Sequence, residues 1–275
     1  MLLIYLYLFI IGSAVGSFLN VLIDRLPNEE SIAGRSHCDY CKKQLPAGVN
    51  IPIVSWFILH GKTQCCGKPL SLQYPIIEAL TGVMFVVIWY IAPFFFYPVV
   101  LQWLAWIPDS QIGGGETAMI LLRITLLVMG STLLVTFVAD VKYHIIPDSM
   151  QVLFLITAVL FVSLTGVLSL NTFKDGCIVL LPILLLYVVT LGRGMGFADV
   201  KFAFSMGVLL GWMNGLLALY IAFITGAVVG IALMIAGRKK MKSTIAFGPF
   251  LIVGTVMVLV AHEQIIPFLS HFLMR

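Results

Sequence analysis

Charge is scarce in this sequence. Asp, Glu, Lys and Arg make up 10% of its 275 residues, against about 25% in soluble domains. With 61% apolar residues and a mean hydropathy of +1.08, that scarcity excludes an ordinary soluble enzyme and a disordered chain. It also excludes a nucleic-acid binder, because a net charge of +4 from 16 basic and 12 acidic residues cannot coat a basic face. A basic start is missing as well. The first basic residue, Arg25, follows the first apolar run, so residues 2–22 lack the n-region of a signal peptide and read as a retained helix with Met1 outside. No internal repeat is visible.

What is present is apolar run after apolar run. Segments of spanning character lie at 2–22, 75–93, 118–139, 149–168, 176–192, 200–212, 214–236 and 245–262. They predict an all-α polytopic membrane protein with about eight transmembrane helices and the lipid bilayer as its surroundings. Residues 23–74 differ: they hold six basic residues, four of the five cysteines and several Pro, Gly and Ser. This stretch reads as a small water-facing domain between the first two helices, too short to bury much core without a staple. The domains are thus a first helix (1–22), a cysteine domain (23–74), a membrane core (75–262) and an interfacial tail (263–275). The three glycines at 113–115 read as part of a flexible outside loop, 94–117.

The distribution of Lys and Arg sets the orientation. With Met1 outside, the inside loops 23–74, 140–148, 193–201 and 237–243 hold 13 of the 16 basic residues. The cysteine domain then faces the cytoplasm.

Acids beside lipid are costly and are functional candidates for that reason. Asp140 and Asp148 flank one inside turn (VADVKYHIIPD), and Asp199 lies in another (GRGMGFADVK). All three reach the same membrane edge. Two carboxylates held together share one proton, so that one activates water as a base while the other donates a proton to the scissile group. The plainer reading makes them solvated helix ends, with Asp148 an N-cap after Pro147. Supporting candidates are Glu78 in the second span, Asp148, Lys201, and the glycines 194 and 196, which with Gly192 let the backbone turn tightly. His144 stands near Asp140. Gly248-Pro249 reads as a kink in the last helix.

Thiols form the second cluster. Cys38 and Cys41 make a C-x2-C pair, and Cys65 and Cys66 follow. In a reducing cytosol such a group suggests zinc. Adjacent cysteines chelate one metal awkwardly, so His37 or His60 stands as an alternative fourth ligand; a metal-free loop is the plainer reading.

Together these pieces resemble the bacterial type IV prepilin peptidase family, bifunctional leader peptidase/N-methyltransferases. GSFLNVLIDRLP, CDYCKKQL, CCGKPLSLQYPIIEALTG, DVKYHIIPD, GMGFADVK and FGPFL match the family's landmarks in order. The resemblance implies catalytic Asp140 and Asp199 and an aspartic endopeptidase that needs no metal for cleavage. It implies removal of a short basic leader from prepilins or pseudopilins, after a Gly, on the cytoplasmic face of the bacterial inner membrane. The new N-terminus, often Phe, would be methylated with S-adenosylmethionine, an activity linked by analogy to the cysteine domain. Two departures stand out. The family's glycine before the second aspartate is Ala198, which would strain a turn needing positive φ. Aligned on Cys66-Gly67, the family's first cysteine of the second pair is Thr63, and Cys65 stands at a position that is not usually a ligand. A peptidase without methyl transfer is therefore an alternative, and a proton-coupled carrier is a further one from another class.

Overall fold

The computed structural model describes residues 2–38, 40–46, 51–104, 114–237 and 246–273. Among them secondary structure is helical apart from two isolated β-bridges. The helices are α1 (Leu2–Arg25), α2 (Val54–Ile58), α3 (Gln73–Leu104), α4 (Gly114–Tyr143), α5 (Asp148–Leu164), α6 (Leu170–Val189), α7 (Phe197–Ile235) and α8 (Gly248–Leu273). A 3-10 turn, Leu26–Asn28, follows α1. The chain divides into two compact units, residues 1–131 and 132–275, with the division inside α4.

Among the described residues five helical stretches are long and apolar enough to cross a membrane: Leu2–Asn28, Gln73–Tyr90, Thr117–Tyr143, Leu170–Val189 and Phe197–Ile235. Asp148–Leu164 and Gly248–Val260 are apolar but shorter. The expected count of eight splits Phe197–Ile235 in two. That stretch is 39 residues long, about 58 Å of helix against a hydrocarbon core of about 30 Å. The chain breaks it at Gly211, whose φ of 78° and ψ of 168° are not helical. The expected gap at residue 213 is thus a one-residue break.

One other expectation fails. α3 runs on to Leu104, through Pro93 and Pro98, and α4 already includes Gly114 and Gly115. Most of the expected 94–117 loop is therefore helix, and its residues 105–113 lie outside the described residues. α8 extends through residues 263–273, so the stretch read as an interfacial tail is helical over that range. The loop 237–243 is described only at residue 237.

In the first unit α1 packs along α3. Gly12 and Gly16 form a GxxxG face on α1. A Cβ on Gly12 would come within 2.9 Å of Gly82 Cα, and one on Gly16 within 2.8 Å of Glu78 Cα. Small residues let the two backbones approach where lipid offers no hydrophobic drive for association. Asn20 on α1 donates to Tyr74 O at 3.2 Å and accepts from Gln73 Nε2 at 3.3 Å.

In the second unit α7 is the central element and packs against α5, α6 and α8. Phe154 of α5 stacks on Phe202 with ring centroids 4.8 Å apart. Gly176 of α6 meets Gly207, and a Cβ on Gly254 of α8 would collide with Ala218 O. Buried threonines satisfy their hydroxyls within their own helices, as Thr136 does on Thr132 O and Thr255 on Leu251 O.

Candidate functional site

Asp140 sits in the last turn of α4 and is 5% exposed; Asp199 is the third residue of α7 and is 7% exposed. Helix ends explain why both are tolerated beside lipid. Gly196 precedes the first turn of α7, and its N–H donates to Asp199 Oδ2 at 3.1 Å. The carboxylate thus closes its own helix N-terminus, where the peptide dipoles favour negative charge. Asp140 has the opposite problem at a helix C-terminus. The start of α8 offsets it, since Gly248 N–H donates to the Asp140 carboxylate. The two carboxylates are near enough for the charge of Asp140 to act on Asp199. Two acids from distant turns therefore converge within the second unit, each held by a glycine N–H.

Gly248 was read from sequence as a kink, within the FGPFL landmark of the family. It is the first residue of α8, with Pro249 next, in the first turn where proline is tolerated. A Cβ on Gly248 would lie 2.5 Å from Asp140 Oδ2 and 3.0 Å from Ile146 Cδ1. The FGPFL landmark marked a helix start, but nothing in it pointed to a contact with Asp140.

The other candidates distribute as follows. Asp148 is the first residue of α5 and Pro147 occupies the cap position, so Asp148 is not the expected N-cap. Its Oδ1 pairs with Lys201 Nζ at 2.7 Å, and both side chains are exposed. Such a pair contributes at most about 1 kcal/mol. Gly192 adopts φ 73°, as a tight turn requires, whereas Gly196 is extended and Gly194 donates its N–H to Thr190 Oγ1 at 3.2 Å. His144 is exposed, and its charge acts on Asp140. A cavity of about 600 Å³ lies among α5, α6 and α7, lined by Asp148, Gln151, Phe197, Lys201 and Phe204 among others.

Ala198 is the second residue of α7, and its φ is not positive. The expected strain is absent because the turn ends one residue earlier than the motif suggested. Ala198→Gly should therefore leave enzymatic activity unchanged and cost at most about 1 kcal/mol of stability. A kinetic assay beside a thermal melt checks both; a large gain in rate would mean that alanine does hamper the site.

In the first unit Glu78 is buried and accepts from Ile53 N at 2.6 Å and from the Ser17 side chain. Ile53 carries φ 63°, a strained setting for a β-branched residue. Glu78 thus holds the chain at the start of α2. Arg25 anchors the other end of the stretch, donating to Ser31 O, Ala33 O and Arg35 O.

The sulfurs of Cys38, Cys41, Cys65 and Cys66 all lie within 4.8 Å of one another. Cys38 and Cys66 are 3.7 Å apart, Cys41 and Cys65 3.2 Å, and Cys65 and Cys66 4.0 Å. A tetrahedral zinc with sulfurs at about 2.3 Å needs edges of about 3.8 Å, so this donor set fits zinc. His37 and His60 are outside the group; His37 Nδ1 instead faces the Arg25 guanidinium at 3.4 Å. Backbone hydrogen bonding from Cys41 lowers the Cys38 thiol to about 7, while the hydrogen bond with Cys41 pushes the Cys65 thiol up to about 12. Cys38 is thereby readied as a thiolate near neutral pH, whereas a metal would have to displace the proton of Cys65.

Residues 10–92 match the model of the bacterial peptidase A24 N-terminal domain, and residues 127–231 that of the type IV leader peptidase family. A prepilin leader peptidase/N-methyltransferase of Pectobacterium carotovorum subsp. carotovorum is 30% identical over 90% of this chain and 89% of its own length. The chain belongs to the type IV leader peptidase family. Relatives of the same name from Legionella pneumophila and Aeromonas hydrophila are 29% and 28% identical, over 95% and 90% of this chain and 93% and 87% of their own. No solved structure matches it. As a member the chain is a multi-pass membrane peptidase, and its curated relatives are named for N-methyl transfer as well. The first family model covers Glu78 and the four clustered thiols and the second covers both aspartates, while Gly248 lies beyond either.

Proposed function

We propose that this leader peptidase removes the short basic leader of a prepilin or pseudopilin after a Gly, at the cytoplasmic face of the bacterial inner membrane. It then methylates the new N-terminus with S-adenosylmethionine. One observation carries the proteolytic half: Asp140 and Asp199, from α4 and α7, are both buried, and the charge of Asp140 reaches Asp199. One carboxylate takes a proton from a water molecule while the other donates one to the scissile carbonyl; as the tetrahedral intermediate collapses, the first gives its proton to the leaving amine and the second takes one back from a hydroxyl of the intermediate. Cleavage on this reading needs no metal. Gly196 and Gly248 orient the pair through their N–H groups, so each carboxylate keeps its remaining lone pairs for water and substrate. The cavity lined by Phe197 and Phe204 offers an apolar place for the first residue of the mature chain.

Methyl transfer is assigned to the stretch 23–74. Cys38, Cys41, Cys65 and Cys66 would hold zinc there, and the ion would supply structural cross-linking to a stretch too small for a core of its own. Thirteen basic residues in the loops counted as inside support the orientation.

The test is incubation of the purified full chain, in a membrane mimic, with a synthetic prepilin. With S-adenosylmethionine the expected products are free leader and a mature peptide heavier by one methyl group. Without it, cleavage proceeds and the methyl group is missing. Cleavage without methylation under both conditions selects a peptidase alone; no cleavage of any prepilin refutes the reading.

A further inference from the structure

The cysteine stretch contains the same backbone loop twice. In the first copy Cys38 N–H donates to Lys43 O at 2.9 Å and Lys42 N–H to Cys38 O at 2.8 Å. Lys42 has φ 54°, and His37 is bridged to Gln44. In the second copy Thr63 N–H donates to Lys68 O at 2.8 Å and Gly67 N–H to Thr63 O at 2.9 Å. Gly67 has φ 65°, and Lys62 is bridged to Pro69. The pattern pairs Cys38 with Thr63, Cys41 with Cys66 and Lys42 with Gly67. A hydroxyl thus stands where the first loop has its first thiol. Cys65 corresponds to Tyr40, which contributes no sulfur.

The sulfurs nevertheless gather. Cys65 Sγ is 3.2 Å from Cys41 Sγ, inside the group of four. Thr63 Oγ1 lies 3.1 Å from Cys66 Sγ and accepts the Lys68 N–H at 2.9 Å. A Cys66 thiolate can only accept, so the Thr63 hydroxyl donates to it.

We propose that this chain builds its metal site on a displaced ligand. Cys65 supplies the fourth thiolate in place of residue 63, and Thr63 remains as a hydroxyl donor to the Cys66 thiolate. Four thiolates leave a divalent cation with net negative charge, and a hydrogen bond to one sulfur relieves it. Thiol protons leave to solvent as the metal enters. The proposal rests on the reading that the four cysteines bind zinc.

The experiment strips the full chain of metal and reloads separate samples with Zn2+ or Co2+. It measures metal per chain, zinc affinity in competition with a chelator, and the thiolate-to-cobalt charge-transfer band. Wild type should bind one ion with a four-thiolate spectrum. Cys65→Ser should lose about a quarter of that band and at least about tenfold in zinc affinity. Adding Thr63→Cys to Cys65→Ser should restore both, which also shows that the single variant had folded. Thr63→Val should keep the full band but bind zinc about 10-fold to 100-fold more weakly. An unchanged band and affinity in Cys65→Ser, or a double variant that binds metal without regaining the band, overturns the displaced-ligand proposal. A wild-type chain that takes up no metal overturns the zinc reading beneath it.

Discussion

Asp140→Asn and Asp199→Asn should each lower leader cleavage by at least about a thousandfold in a chain that remains folded. Asn keeps the size of the side chain and can still accept the glycine N–H that holds each position. What it loses is the ability to take up or release a proton. Each carboxylate is used on both sides of the reaction, so losing either stops water activation and leaving-group protonation together. The double variant should be no slower than the slower single one, because groups acting as a unit are not additive. Single-turnover rates on a synthetic prepilin provide the measure. Methylation of an already cleaved peptide serves as the folding control. Cleavage at near wild-type rates by both single variants would remove the aspartate pair from the mechanism.

Gly248→Ala should cost about a hundredfold in the same assay, with substrate affinity largely kept. Alanine is ordinarily the better helix former, so a helix start would gain from it. Here the added Cβ would sit 2.5 Å from Asp140 Oδ2 and 3.0 Å from Ile146 Cδ1. Asp140 is fixed in the last turn of α4 and Ile146 is buried, so the carboxylate must swing away. That swing both misaims the acid toward Asp199 and removes the N–H donated by residue 248. The kcat should fall while KM moves little. A fall in KM-linked binding alone, with kcat intact, would mean that Gly248 serves substrate docking instead.

These two expectations differ in how they were reached. The aspartates could be found from sequence: VADVKYHIIPD and GRGMGFADVK put acids at the ends of apolar runs, where charge is costly and therefore informative. Gly248 could not, because a Gly-Pro pair near a helix start has many plain explanations. The break in α7 was expected between the apolar segments 200–212 and 214–236 and proved to be Gly211. The helical course through Pro93 and over Gly114–Gly115 was not visible, since isolated Pro and Gly residues read from sequence as helix breaks. Ala198 misled in the same local way: the motif placed it in a turn, and α7 starts one residue before it.

Hydropathy and the spacing of charges and thiols belong to the chain itself, so the sequence alone determined a polytopic helical protein with acids at helix ends and four sulfurs in one polar stretch. Tertiary structure decided which groups meet: Asp140 with Gly248 N–H and with the charge of Asp199, Glu78 with Ile53, and Cys65 with the other thiols in place of residue 63. Those meetings depend on helix rotation, crossing and loop closure between positions far apart in the chain, and no local pattern of residues encodes them.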